Sequence, residues 1–481
     1  MKPLILPLLA FASALWVTAS AAETPAARKP NIVVIISDDQ GYADISFNPQ
    51  HPEEVSTPHL DSLARESVFF SQAYISGNVC SPTRAGLMTG RYQQRAGVYT
   101  AGEGGKGMAL TEKLFPQFLT PAGYVSGAFG KWHIGLTVAQ GPIGRGFDES
   151  YGFLGRGGHD YFKLADAASP MYRGKEIVKD EGYLTTRLTE EASAFITKHR
   201  ASPFFVYLAY NAVHAPAQAP KEDIERIKKK FPDLPESRVV LMAMLHHLDL
   251  GVGRVVETLK KEGVWENTLL FFLTDNGGSK AMNASNTPLR GAKGGHYEGG
   301  IRTPFIVSWP ARFKGGRKLA APVIALDILP TALAAAGVAP PSEKPLDGKS
   351  LLPLLTGETG QHHRTLFWSE GGATGNWAVR SGDWKIIASK DQWELYNLAN
   401  DAAEATNLAA QQPEKIKELT ALYDAWLAPM PVSIAGHPPR YTPPATPVEA
   451  TAAREAKRQR KVKKEARKAA AEATAPNAEP K

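Results

Sequence analysis

Two acidic residues, Asp38 and Asp39, directly follow a run of apolar, β-branched residues from Asn31 to Ile36. A second pair, Asp275 and Asn276 in Thr-Asp-Asn-Gly-Gly, follows another such run ending at Leu273. Three carboxylates and an amide oxygen at two strand ends make a hard, oxygen-only donor set, suited to Ca²⁺ or Mg²⁺ rather than to Zn²⁺, which favours nitrogen and sulfur. Singly, each pair reads as a turn after a strand; together they read as one metal site. The single cysteine, Cys80, stands in Cys-Ser-Pro-Thr-Arg, with Pro82 suited to opening a helix and Arg84 one turn in. A helix N-terminus favours an anion beside it. A lone cysteine is commonly a buried apolar residue, and a thiolate nucleophile is another reading. Neither accounts for a prolyl turn and an arginine at this spacing.

These residues need a scaffold that brings strand ends together. Besides Asn31 to Ile36, the strand candidates are Tyr124 to Phe129, Phe204 to Tyr210, Thr268 to Leu273 and Pro304 to Trp309. Helical patterns run over Pro58 to Phe69, Leu184 to His199, Val239 to Glu262 and Leu326 to Ala336. Alternation of this kind predicts an α/β fold, a largely parallel central sheet flanked by helices, with its chemistry beyond the carboxyl ends of the strands. After about Gly360 the pattern changes to short aromatic strands at Leu366, Trp377, Trp384 and Trp393, followed by a helix from Glu414 to Leu427. That predicts a smaller C-terminal α+β subdomain carrying an antiparallel sheet. The organisation expected is a leader over 1–21, a catalytic domain over 30–360, the subdomain over 361–430, and a Pro-rich linker and basic tail over 431–481, disordered or loosely helical.

Lys2, an apolar run from Pro3 to Val17 and the small-x-small pattern Ala19-Ser20-Ala21 form an export signal, cleaved near Ala22. No other segment offers about 18 consecutive apolar residues, so no membrane span is expected and the protein is placed in the periplasm or outside the cell. One cysteine cannot form an internal disulfide there. The net charge of +7 hints at an anionic partner, but 449–481 holds ten Lys/Arg against five Glu, a net of +5, which leaves +2 for the rest. No nucleic-acid partner is expected from so nearly neutral a body.

Cys80-Ser-Pro-Thr-Arg84, continuing Ala-Gly-Leu-Met-Thr-Gly90, resembles the signature of type I sulfatases, a family within the alkaline phosphatase superfamily. Gly123-Tyr-Val-Ser-Gly-Ala-Phe-Gly-Lys131-Trp-His133 resembles the second signature of that family, and Asp38-Asp39-Gln-Gly-Tyr, Asn211-Ala-Val-His214 and Leu289-Arg-Gly-Ala-Lys293 follow its order. Asn78, Ala43 and Phe129 depart from the pattern. The resemblance implies an alkaline phosphatase-like fold, and a Cys80 oxidised by a maturation enzyme to Cα-formylglycine. The hydrated aldehyde then attacks sulfur with one hydroxyl, and deprotonation of the other expels sulfate. It further implies Ca²⁺ held by Asp38, Asp39, Asp275, Asn276 and the modified Cys80. Arg84 holds the nucleophile, and Lys131 and Lys293 bind sulfate oxygens. His133 is the base for the second step, and His214, with Lys293, protonates the leaving alcohol. His246 and His247, on the long helix, read as structural.

The substrate is less legible. An exported sulfatase resembles enzymes that take sulfated carbohydrates. Arg156, His159 and Asp160, in Gly155-Arg-Gly-Gly-His-Asp-Tyr, stand where sugar hydroxyls could be met, or form a polar surface loop. Two alternatives stay open: a phosphonate or phosphate monoester hydrolase of the same superfamily, and a non-catalytic sulfated-glycan binding protein in which Cys80 remains a thiol.

Overall fold

The computed structural model describes residues 28–440, apart from 156, 167–168 and 390–391. The leader, most of the basic tail and Arg156 lie outside the described residues. In chain order the main sheet is built from β1 (Asn31–Ser37), β2 (Val68–Phe70), β3 (Val125–Lys131), β4 (Glu149–Phe153), β5 (Met171–Arg173), β6 (Glu176–Val178), β7 (Phe204–Ala209), β8 (Thr268–Thr274), β9 (Phe305–Ser308) and β10 (Arg317–Leu319). Their spatial order is β10-β2-β9-β8-β1-β7-β3-β4-β5-β6. The five central strands, β8 to β4 in that order, run parallel, whereas β9 pairs antiparallel with β8, and β5 with β4.

The parallel core follows from sequence. β1 (NIVVIIS), β7 (FFVYLA) and β8 (TLLFFLT) are buried at every position, as strands covered on both faces must be. One face packs against α1 (Pro58–Arg65), α3 (Leu184–His199) and α4 (Glu236–Lys261), through residues such as Leu188, Phe195, Leu245 and Val252; the other packs against α2 (Cys80–Thr89) and α5 (Ile328–Ala336), through Leu87, Met88, Leu329 and Leu333. Each fully buried Leu, Ile or Phe contributes about 1.5–3 kcal/mol. Long and apolar as it is, α4 is largely buried within this layer.

Two elements differ from expectation. α1 stops at Arg65 instead of running to Phe69, because Val68–Phe70 pairs in the sheet with β9 and β10. α2 opens at Cys80 itself, with Val79 as its N-cap, so Pro82 lies inside the first turn.

The C-terminal sheet is antiparallel, β11 (Thr365–Ser369), β12 (Asn376–Ser381), β13 (Trp384–Ser389) and β14 (Gln392–Asn397) in order, and α6 (Pro413–Leu427) covers it. Trp377 stacks on Tyr423 at 4.1 Å and Phe367 on Trp426 at 5.0 Å between ring centroids. The unit is fastened to the main body: Trp368 donates its indole N–H to the Ile75 carbonyl, and Lys385 forms buried ion pairs with Glu298 and Glu404 at 2.9 and 2.8 Å. The linker expected to be loose from residue 431 instead begins docked. Tyr99 donates to the Pro431 carbonyl, and the Ile434 N–H donates to that of Gly97.

Candidate active site

β1 and β8 run side by side with Ser37 opposite Thr274, so the residues that follow them emerge together at the carboxyl end of the sheet. The Asp275 N–H donates to the Ser37 carbonyl at 3.1 Å, which places Asp38, Asp39, Asp275 and Asn276 in one cluster, all buried. α2 aims its first residue into that cluster. Cys80 Sγ lies 3.5 Å from Asp38 Oδ1, and donor atoms of Asp38, Asp39, Cys80 and His214 all lie within 4.8 Å of one another.

Cations surround the acids. Arg84 is fully buried and binds Asp275 Oδ2 through Nη2 at 2.7 Å and Nε at 3.0 Å, while its Nη1 donates to the Lys131 carbonyl at 3.1 Å. Lys131, the last residue of β3, pairs with Asp38 Oδ2, and Lys293 pairs with Asp39 Oδ1 at 2.6 Å. Burial raises the Asp38 carboxyl, yet Lys131 and His214 outweigh it and hold it below the ordinary range. Burial, then the charges of Asp275 and Asp38, push the Cys80 thiol far above the ordinary cysteine range. An unmodified Cys80 is therefore a protonated thiol at neutral pH, contrary to a thiolate nucleophile.

Two histidines face this centre. His214 donates Nδ1–H to the Ala215 carbonyl at 2.6 Å, which turns Nε2 toward Asp39 Oδ2, 3.8 Å away. His133 is held by its N–H on Leu154 and by Ser81, whose hydroxyl donates to the His133 carbonyl at 2.6 Å. Its Nδ1 is buried with no hydrogen-bond partner among the described residues. Burial, aided by Lys131 and Arg84, lowers its pKa to about 2, so it is neutral across the working range. Asp39 and His133 both have positive φ, 60° and 59°, in the left-handed region that non-glycine residues seldom occupy. Such strain is held only where the surroundings impose it.

The donor set fits a hard divalent cation. Asn276 Nδ2 donates to Asp39 Oδ1 at 2.7 Å and to the Gly277 carbonyl, leaving Asn276 Oδ1 buried with no partner among the described residues. An orphaned amide oxygen beside two carboxylates is what such an ion satisfies. Asp275 is turned toward Arg84 more than toward this group.

Of the residues singled out as sugar contacts, His159 and Asp160 are not gathered here. His159 is buried, with Nδ1 on the Asp160 carbonyl and Nε2 on that of Ser169, and Asp160 accepts from Phe162, Lys163 and Gln218. Both serve their own loop. The cavity above Cys80, about 540 Å³, is walled instead by Val79, Gly102, Gly105, Lys106, Leu136 and Gly157, with His133, His214 and Lys293 also on its wall. The 101–107 segment lacks any periodic pattern, and only its run of glycines hinted at a wall.

A mostly parallel sheet with a buried Asp, Cys and His cluster and an embedded helix N-terminus at its carboxyl edge fits a hydrolase of the alkaline phosphatase-like fold. The Sulfatase family model matches residues 30–338, and the model described as N-sulphoglucosamine sulphohydrolase, C-terminal, matches 293–426. The chain belongs to the sulfatase family and is a sulfuric ester hydrolase. It is 32% identical to N-acetylgalactosamine-6-sulfatase of Mus musculus over 86% of this chain and 82% of that one. It is 30% identical to the uncharacterized sulfatase YdeN of Escherichia coli (strain K12), over 81% and 84%. The crystal structure of Ps i-CgsB in complex with k-i-k-neocarrahexaose superimposes with a TM-score of 0.78 at 33% identity, covering 87% of this chain and 96% of that one.

Proposed function

We propose that this protein is an exported sulfatase that removes sulfate from sulfated carbohydrates, using Cα-formylglycine made from Cys80 by a maturation enzyme, and one Ca²⁺. The observation that carries this reading is the convergence of Asp38, Asp39, Cys80 and His214 within 4.8 Å, flanked by Arg84, Lys131 and Lys293. The carbohydrate substrate is supported by relatives named for N-acetylgalactosamine 6-sulfate and by the neocarrahexaose complex.

Asp38, Asp39, Asp275 and Asn276 would hold the cation, which supplies Lewis-acid activation and neutralises charge when bound. Arg84, fixed by Asp275 and the Lys131 carbonyl, holds the position of residue 80 and offsets negative charge there. Lys131 and Lys293 approach from separate segments and bind sulfate oxygens, where fixed charges favour the developing anion. His214, oriented by Ala215, delivers a proton to the leaving alcohol. His133, whose buried Nδ1 has no partner among the described residues, takes the proton whose removal releases sulfate.

The test is the mass of the tryptic peptide Glu66 to Arg84 from protein made in its native host, together with turnover of sulfate and phosphonate esters. Aldehyde in place of thiol with sulfate-ester turnover is the expected result. An unmodified thiol in a protein that binds sulfated glycans but hydrolyses none, or a preference for phosphonate esters, overturns the proposal.

A further inference from the structure

The cavity above Cys80 is larger than one sulfate group requires and falls in the size range of ligand pockets, about 300–1,000 Å³. Among the described residues no Asp or Glu lies on its wall, and the charged ones there are Lys293 and Lys106. Lys293 pairs with Asp39 and is assigned to the scissile sulfate. Lys106 is not: it is exposed, and among the described residues its ammonium has neither a carboxylate partner nor a hydrogen bond. Its backbone is nonetheless fixed. The Lys106 N–H donates to the Glu103 carbonyl at 3.0 Å, and its carbonyl accepts from Gln140 Nε2 at 3.0 Å. Gly107 behind it has a φ of 89°, and a Cβ there would meet Gln140 at 2.5 Å. Around it the wall is bare, since a Cβ built on Gly102 or Gly157 meets nothing within 4 Å. A fixed backbone, an unpaired cation and open space beside the reacting centre form a receptor for a second negative charge, in a cleft whose described charged wall residues carry one sign.

We infer that Lys106 forms a second anion subsite at the mouth of the pocket, so that the substrate class is a sugar whose scissile sulfate has a further sulfate or carboxylate on the same or the adjoining unit. The inference rests on the sulfatase reading. It also accounts for a cation on the wall beyond Lys131 and Lys293, which serve the scissile sulfate.

The experiment measures inhibition of 4-nitrophenyl sulfate turnover by matured full-length enzyme. The inhibitors are inorganic sulfate, a sulfated-galactan hexasaccharide and a chondroitin 6-sulfate hexasaccharide, tested on wild type, Lys106→Ala, Lys106→Glu and Lys106→Arg. Lys106→Ala should raise the ratio of the oligosaccharide constant to the inorganic sulfate constant about fivefold, the scale of one exposed charge contact. Lys106→Glu should raise it further, and Lys106→Arg should restore it. Loss on the galactan arm alone assigns a second sulfate, and loss on the chondroitin arm alone a carboxylate. A ratio within about twofold of wild type on both arms, including the case in which neither oligosaccharide inhibits, overturns the inference. A matured wild type with no 4-nitrophenyl sulfate activity fails the sulfatase reading first, and the subsite falls with it.

Discussion

Asn78 Nδ2 lies 2.5 Å from Glu370 Oε1, bridging the turn that leads into Cys80 and the end of the first C-terminal strand. The same nitrogen donates to the Gly294 carbonyl at 3.0 Å, and the Asn78 carbonyl accepts the Gly294 N–H at 2.8 Å. The residue that departs from the family pattern before the signature thus ties together the nucleophile turn, the loop of Lys293 and the C-terminal sheet. Asn78→Ala leaves Glu370 with less than its full set of donors and should cost about 1–3 kcal/mol of stability. Denaturant unfolding checks this, and a loss below about 0.5 kcal/mol would mean that Thr374 and Asn376 satisfy Glu370 alone.

Cys80→Ala should abolish turnover while leaving the unfolding midpoint near that of wild type. Alanine at the first position of a helix is well tolerated, and the side chain removed is small. Sulfate release is the measurement; activity within about tenfold of wild type would remove residue 80 from the mechanism.

Chelation should lower activity and stability together, and Ca²⁺ should restore both. Without a cation Asn276 Oδ1 has no partner among the described residues, and Asp38 and Asp39 lie close to each other. Thermal unfolding in chelator and after Ca²⁺ addition reads the stability arm independently of turnover.

His133 should make the chelated protein acid-sensitive. Its folded pKa, about 2, lies below the ordinary histidine value of 6.5. The unfolded chain therefore takes up a proton below pH 6.5 that the folded chain refuses. The associated stability is present above 6.5 and is lost as pH falls toward 2, at up to about 1.4 kcal/mol per unit. His133→Gln should flatten that slope between pH 6.5 and 4; identical slopes in the two proteins would show that the imidazole protonates in the folded state.

Deleting the tail from Thr446 should leave kcat on a small sulfate ester at its wild-type value, because the cluster from Asp38 to Lys293 and the C-terminal residues that support it, Glu370, Lys385 and Glu404, all precede the deletion. A large fall in kcat would place the tail at the active site.

The sheet and the catalytic cluster were legible because their signals are local and strong. Continuous apolar runs marked β1, β7 and β8, and each was followed at once by chemistry-bearing residues. What escaped was non-local. Nothing near Asn78 announces a partner 292 positions away in Glu370, and nothing near Glu298 announces Lys385. His159 looked available because a loop of glycines and polar residues reads as surface, yet its ring is turned inward onto two backbone carbonyls. α1 was overextended because Val68 to Phe70 continues an apolar pattern that only sheet pairing distinguishes from a further helical turn.

The Lys385, Glu298 and Glu404 cluster bears on how the two parts of the chain are completed together. Glu298 belongs to the segment that closes over Gly277, next to Asn276, and its cation arrives 87 residues later. Until that cation arrives, closing the segment would leave the carboxylate buried without Lys385, a state that costs several kcal/mol. Arg302 alone, 3.3 Å away, is a weaker counterion. Closure of the segment beside Asn276 is thus tied to the docking of the C-terminal sheet, whose Lys385 completes the surroundings of Glu298.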